Sequence, residues 1–174
     1  MCGVGSKVFC VGGDICKFYD EGKVGWEYFY LFYSNEYRTN VHIKRYGKFY
    51  IAFIDGIMMG GGVGFSVHGT YRVAIENTVF AMPETGIGLF PDVGGSHFLS
   101  RCPGQIGMYL ALTGARMKVA DCIYAGVADA FVSSVDLDGL ETALDGADLS
   151  SGKAAVAAVV GRFQKDPGSA IFAL

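Results

Sequence analysis

The chain has 174 residues, of which 51% are hydrophobic and 18% are charged, and its formal net charge is −3. This length suits one domain with a sizeable core, and this composition excludes an intrinsically disordered chain. Because the Lys and Arg residues are scattered, nothing favours a nucleic-acid partner. No uninterrupted apolar run reaches the roughly 18 residues of a membrane span. No targeting segment is visible at the N-terminus, and the five cysteines lack the spacing of a zinc site.

The first half of the chain alternates predicted strands and helices. Residues 7–10 predict a short strand that runs into a glycine turn. Apolar and aromatic side chains recur at helical spacing over residues 26–45, which predicts an amphipathic helix. The continuous apolar run at residues 49–54 is typical of a buried strand. A glycine triplet then leads into a short predicted helix at residues 63–68.

The second half continues this alternation around one irregular segment. Residues 83–95 contain two prolines and four glycines, which indicates a loop of defined shape. The regular elements predicted on either side of the loop are strands at 71–75, 78–81 and 127–132, and helices at 105–112 and 117–125. Two Ala-rich helices are expected after residue 136. Strands alternating with helices predict an α/β fold.

Two glycine-rich turns each lead from a predicted strand towards a helix. The first is Gly12-Gly13, followed by Asp14 in the position of a helix cap. The second is the triplet Gly60-Gly61-Gly62. Uncovered N–H groups at the positive end of a helix suit an anion, and an oxyanion needs two such donors. Close packing of backbone on backbone is the alternative for each turn, and the patterns of dinucleotide and P-loop sites are absent.

Two carboxylates, Glu84 and Asp92, lie eight residues apart in the otherwise apolar loop, and neither has a Lys or Arg beside it in sequence. An unpaired carboxylate in an apolar setting is costly to desolvate, and function commonly compensates for that cost. The pair therefore indicates a functional site. Two structural alternatives are open, with Asp92 as the cap of a helix opening at residues 93–95 and Glu84 as an exposed side chain.

Three strings resemble the enoyl-CoA hydratase/isomerase (crotonase) superfamily, and within it the 3-hydroxyisobutyryl-CoA hydrolase branch. They are FAMPETGIGLFPDVGG at residues 80–95, IDGIMMGGGVG at 54–64 and LTGAR at 112–116. The resemblance implies a ββα spiral core of the crotonase type. It also implies an acyl-CoA substrate whose CoA binds noncovalently, with no separate cofactor and no metal.

The resemblance further implies roles for five residues. The amides of Gly13 and Gly61 would form the oxyanion hole, and Gly61 and Glu36 would also contact the substrate. Glu84 would attack the thioester carbonyl or activate the water that does so. Asp92 would hold the substrate hydroxyl and assist proton transfer. The implied reaction converts 3-hydroxyisobutyryl-CoA to 3-hydroxyisobutyrate and CoA, a step of valine catabolism.

One departure from the superfamily pattern separates the alternatives. Hydratases of the superfamily carry a second catalytic glutamate just after the glycine triplet, and Gly64 stands at that position here. Losing that acid removes half of the acid/base pair that water addition needs. Hydrolysis is therefore favoured over hydratase or isomerase activity. A noncatalytic relative that acts as an assembly subunit is the other alternative.

The resemblance divides the chain into a partial catalytic core at residues 1–135 and the start of a C-terminal helical region at 136–174. Family members are expected to be longer at both ends, with further N-terminal elements that contribute to the CoA site and further C-terminal helices. Those helices imply packing into homo-oligomers. The implied compartment is the mitochondrial matrix for a eukaryotic source and the cytoplasm for a bacterial one.

Overall fold

The computed structural model describes residues 1–5 and 7–173, and within them six short strands form two parallel three-stranded sheets. The strands are β1 (Val8–Cys10), β2 (Ile51–Ile54), β3 (Ile57–Met59), β4 (Tyr71–Ala74), β5 (Val79–Ala81) and β6 (Ala130–Phe131). One sheet has the order β1-β3-β5 and the other β2-β4-β6. Consecutive strands from β2 to β6 therefore alternate between the two sheets, as expected of a ββα spiral, and the predicted α/β class is confirmed.

Eight α-helices connect and flank the strands in the described part of the chain. They are α1 (Ile15–Gly22), α2 (Glu27–Lys44), α3 (Gly61–Gly64), α4 (Gly95–Leu99), α5 (Ile106–Thr113), α6 (Val119–Tyr124), α7 (Leu137–Asp145) and α8 (Lys153–Gly161). The side chain of Asp14 accepts a hydrogen bond from the Lys17 amide at 3.1 Å, so the predicted cap of α1 is confirmed. None of the helices described is long and apolar enough to cross a membrane.

Two clusters of buried apolar side chains form the core. The larger contains Met58, Phe80 and Met82, and it lies under the strands and turns that carry the acid pair. The smaller joins the sheet β2-β4-β6 to α7 and α8 through residues such as Val73 and Val156. Because β3 and β5 are anchored in the larger cluster, the segments that follow them begin from fixed backbone positions.

Several predicted boundaries change in the structure. Strand β3 was not predicted, and the helix predicted at residues 63–68 is the four-residue α3 followed by turns. The strand predicted at 127–132 reduces to β6. The loop at 83–95 contains a 3₁₀ turn, Glu84–Ile87, and its last residue begins α4. The division at residue 135 stays a prediction.

Candidate active site

One cavity of about 190 Å³ is lined by all five residues to which the sequence analysis gave a role. They are Gly13, Glu36, Gly61, Glu84 and Asp92. These residues are up to 79 positions apart in the chain, the separation from Gly13 to Asp92. The fold therefore brings together two glycine turns, one face of α2 and the loop before α4.

The two glycine turns lie directly against each other. A Cβ atom on Gly12 would stand only 2.9 Å from the amide nitrogen of Gly61, and Gly12 has a positive φ of 86°. Within the described residues, the N–H groups of Gly13 and Gly61 donate to no backbone or side-chain acceptor. Two unsatisfied donors beside one cavity are what an oxyanion requires.

Glu84 is buried, with only 5% of its surface exposed, so the alternative that it is a solvated side chain is wrong. Its Oε2 atom is buried and has no hydrogen-bond partner among the described residues. Its Oε1 atom lies against Gly60, at 2.9 Å from where a Cβ would stand. Burial raises the pKa of Glu84 to about 7, with a smaller contribution from the negative charge of Asp92. Such a carboxyl group can accept and return a proton near neutral pH.

Asp92 is also buried, at 8% exposure, and it does not cap a helix. The cap position of α4 is Gly94, and no side chain bonds the end of that helix. The hydroxyl of Tyr37 instead donates to Asp92 Oδ2 at 2.8 Å. The residue after Asp92, Val93, has a positive φ of 43°, a strained conformation for a β-branched side chain. The loop therefore holds the carboxylate towards the cavity rather than towards a helix end.

Glu36 is the third carboxylate at the cavity and lies on α2. Its Oε1 atom stands directly over the α-carbon of Gly61. Burial raises the pKa of Glu36 to about 7, and the negative charges of Asp92 and Glu84 add to the effect. In the described part of the chain, none of the three carboxylates forms an ion pair. The site is thus a cluster of three carboxyl groups without a paired cation, and two of them, Glu36 and Glu84, have a raised pKa.

Sequence analysis gave no role to two tyrosines of α2: Tyr33, which lines this cavity, and Tyr37, whose hydroxyl donates to Asp92. Residues 33, 36 and 37 are spaced to share one face of a helix, and Glu36 already marked that face. Burial raises the pKa of both tyrosine hydroxyls, with contributions from the neighbouring carboxylates. Helical spacing from Glu36 is therefore the signal that would have found them.

The position where a hydratase would have its second glutamate is closely packed. A Cβ atom on Gly64 would stand 2.6 Å from Asn40 Oδ1 and 2.8 Å from Asn40 Nδ2. Asn40 is 6% exposed, and neither atom of its carboxamide has a partner among residues 1–5 and 7–173. The space next to Gly64 is therefore filled by an amide, and no carboxylate stands there.

No group of three or more His, Cys, Asp or Glu side chains in the described residues is arranged to hold a metal ion. A larger cavity, of about 490 Å³, adjoins the first and shares Asp92 with it. Its wall includes Tyr37, Asn40 and His68. The His68 Nε2 atom lies 2.7 Å from the carbonyl oxygen of Val93, so this second cavity borders the loop that carries Asp92.

A family model described as enoyl-CoA hydratase/isomerase matches residues 1–171. The chain belongs to the enoyl-CoA hydratase/isomerase family. The resemblance noted in the three sequence strings is thereby confirmed. A solved structure of this fold, a carnitinyl-CoA dehydratase from Mycobacterium thermoresistibile, has a TM-score of 0.86 and 40% sequence identity. It covers 99% of the present chain, which covers 48% of it.

Two curated relatives of this enoyl-CoA hydratase/isomerase family member carry different names. The 3-hydroxyisobutyryl-CoA hydrolase, mitochondrial, of Xenopus tropicalis is 58% identical over 139 residues, which are 80% of this chain and 36% of the relative. The small ribosomal subunit protein mS47 of Neurospora crassa is 50% identical over 145 residues, which are 82% of this chain and 28% of the relative. The chain thus spans less than half the length of the curated relatives it matches.

Proposed function

We propose that this chain carries the catalytic residues of a 3-hydroxyisobutyryl-CoA hydrolase. The observation that supports this most is the buried Glu84, whose Oε2 atom has no partner in the described residues. It shares a cavity with two unsatisfied amide donors and with Asp92. Burial raises the pKa of Glu84 to about 7, and a group with such a shifted pKa in a cavity is a candidate for proton transfer.

In the proposed reaction, the thioester carbonyl oxygen accepts hydrogen bonds from the N–H groups of Gly13 and Gly61. Glu84 takes a proton from a water molecule as the water oxygen bonds to the carbonyl carbon. The oxyanion intermediate collapses, the C–S bond breaks, and the proton held by Glu84 passes to the thiolate of CoA. Direct attack by the Glu84 carboxylate, followed by hydrolysis of the anhydride, is the other route to the same products.

In this scheme Asp92 recognises the substrate rather than activating water. Its Oδ2 atom is occupied by Tyr37, whereas Oδ1 makes no hydrogen bond to any described residue. Oδ1 is therefore left to accept a hydrogen bond from a 3-hydroxyl group on the acyl chain. A bound thioester without this hydroxyl would cover the carboxylate oxygen without giving it a hydrogen bond, which is a basis for specificity.

The relatives that support this substrate include hydrolases from Xenopus laevis and Danio rerio, both 54% identical to this chain and both named as mitochondrial. We extend the mitochondrial location, the acyl-CoA substrate and assembly into homo-oligomers to this chain as part of the proposal. CoA enters the scheme as part of the substrate, without a further cofactor.

The experiment is a thiol-release assay on the folded chain with 3-hydroxyisobutyryl-CoA, run beside a hydration assay with crotonyl-CoA. We expect thiol release from the first thioester and no hydration of the second, because no carboxylate stands at Gly64. Hydration of crotonyl-CoA without thiol release would instead assign the chain to the hydratases. The oligomeric state of the same preparation follows from its light-scattering mass.

An assembly subunit is a second candidate because a relative 50% identical to this chain is named as a protein of the small ribosomal subunit. An assembly role would depend on contacts at the surface of the protein and would not require the cavity. Co-sedimentation of the chain with small ribosomal subunits of mitochondria, together with no thiol release, would support it. Thiol release that depends on Glu84, without co-sedimentation, would support the enzyme.

A further inference from the structure

We propose that Tyr37 is a positioning residue that orients the carboxylate of Asp92 for the substrate hydroxyl. The inference rests on the proposed function and adds to it a residue that neither the sequence motifs nor the relatives' names assign. Its starting point is the hydrogen bond from the Tyr37 hydroxyl to Asp92 Oδ2, at 2.8 Å, between residues 55 positions apart.

The Asp92 carboxylate has few polar contacts in the described part of the chain. Within residues 1–5 and 7–173, the Tyr37 hydroxyl is the one donor to the Asp92 carboxylate, and no cation pairs with it. The side chain is nonetheless buried, at 8% exposure. A buried carboxylate with one hydrogen bond depends on that bond for its orientation.

The main chain of the loop that carries Asp92 is held by a contact of its own. Val93 follows with a positive φ, and its carbonyl oxygen lies 2.7 Å from His68 Nε2. The main chain is therefore fixed just after Asp92, while the carboxylate itself is fixed by Tyr37. With Oδ2 engaged, Oδ1 is the oxygen that remains for a ligand.

Tyr37 lies on α2 and packs beside a second tyrosine of that helix. Tyr33 precedes it by one turn, their ring centroids are 5.7 Å apart, and Tyr33 lines the catalytic cavity. Burial and the bond to Asp92 raise the pKa of the Tyr37 hydroxyl, so it keeps its proton and remains a donor throughout the neutral pH range. Tyr37 thus acts on the substrate through Asp92 and not by contact with the reacting atoms.

The test is a double-mutant cycle with Tyr37→Phe and Asp92→Ala, measured on 3-hydroxyisobutyryl-CoA and on isobutyryl-CoA, which lacks the hydroxyl. Tyr37→Phe should lower kcat/KM for the hydroxylated thioester about 10- to 100-fold, the range for a hydrogen bond to a charged group. For isobutyryl-CoA the change should stay within about twofold. In the Asp92→Ala background, Tyr37→Phe should have no further effect beyond about twofold.

Tyr30→Phe is the matched control, because Tyr30 lies on the same helix and is 63% exposed. Equal losses on both thioesters, or losses that multiply in the double variant, would overturn the positioning role while leaving the hydrolase intact. If the parent chain cleaves neither thioester, the hydrolase proposal fails, and the same cycle is measured on dissociation constants by calorimetry. Coupling between the two substitutions in the dissociation constants would support the positioning role of Tyr37 without the hydrolase activity. Absence of thioester binding would overturn both proposals.

Discussion

The Glu36 carboxylate stands directly over the α-carbon of Gly61, so that even a methyl group on Gly61 would overlap its Oε1 atom. Gly61 is also the first residue of α3, and its N–H group is one of the two proposed oxyanion donors. The absence of a side chain at position 61 therefore has two consequences. It leaves room for a carboxylate above it and leaves its own amide open to the cavity.

We predict that Gly61→Ala lowers kcat about 10²-fold, the order of cost of a small misplacement of groups around the reacting atoms. The added methyl must displace Glu36, which moves the acid cluster relative to the amide. Gly161→Ala is the control, since Gly161 has ordinary φ and no atom within 4 Å of the added methyl. Steady-state kinetics of both variants checks this. A Gly61→Ala protein with unchanged kcat would show that turnover does not depend on the position of Glu36 beside Gly61.

A second prediction concerns the packing of Asn40 on Gly64. Gly64→Ala should lower the free energy of unfolding by about 1–3 kcal/mol, since the new methyl overpacks the carboxamide. Alanine is otherwise favoured over glycine in a helix. Asn40→Ala in the same chain should recover most of the loss, which urea unfolding of the single and double variants would reveal. Additive losses in the double variant would mean that the two residues do not compete for this space.

The raised pKa of Glu84 predicts how stability depends on pH. An ordinary glutamate has a pKa near 4.5, whereas Glu84 in the folded chain has a pKa of about 7. Between these values the folded state binds more protons than the unfolded state, so the contribution of Glu84 to stability is present at low pH and is lost as pH rises towards 7.

We therefore expect the parent chain to lose stability relative to Glu84→Gln as pH rises from about 5 to about 7. Urea unfolding of both proteins across this range measures the difference, in which the titrating groups that do not interact with Glu84 cancel. If the free energies of unfolding of the two proteins changed in parallel with pH, the raised pKa of Glu84 would be contradicted. Thiol release should follow the opposite course, rising with pH as Glu84 ionises and becomes a base.

The two glycine turns and the pair Glu84 and Asp92 could be picked out from the sequence itself, whereas Glu36 was implied only by the family resemblance. Unpaired acids in an apolar loop and glycines at helix starts are local features, and each carries its own physical cost. The long helix α2 could also be predicted from the sequence, because its apolar spacing repeats over five helical turns. In the structure the two glycine turns, Glu36 and the pair Glu84 and Asp92 line one cavity.

The remaining features depend on contacts between distant residues. Strand β3 has only three residues and exists because it pairs with β1 on one side and β5 on the other. The bond from Tyr37 to Asp92 joins the middle of a helix to a loop, and neither residue alone indicates the other. Such pairings are set by the tertiary fold and leave no periodic pattern in sequence.

Glu84→Gln is the variant that tests the central claim most directly. It keeps the size of the side chain but removes its ability to take a proton, so kcat for 3-hydroxyisobutyryl-CoA should fall about 10²- to 10⁴-fold. Binding of the thioester, measured by calorimetry, should change little, because Asp92 and the glycine amides are untouched. The control is Glu141→Gln, an exposed residue of α7 that should retain full turnover. Loss of turnover with retained binding is the result we predict, and turnover that survives Glu84→Gln would contradict the account.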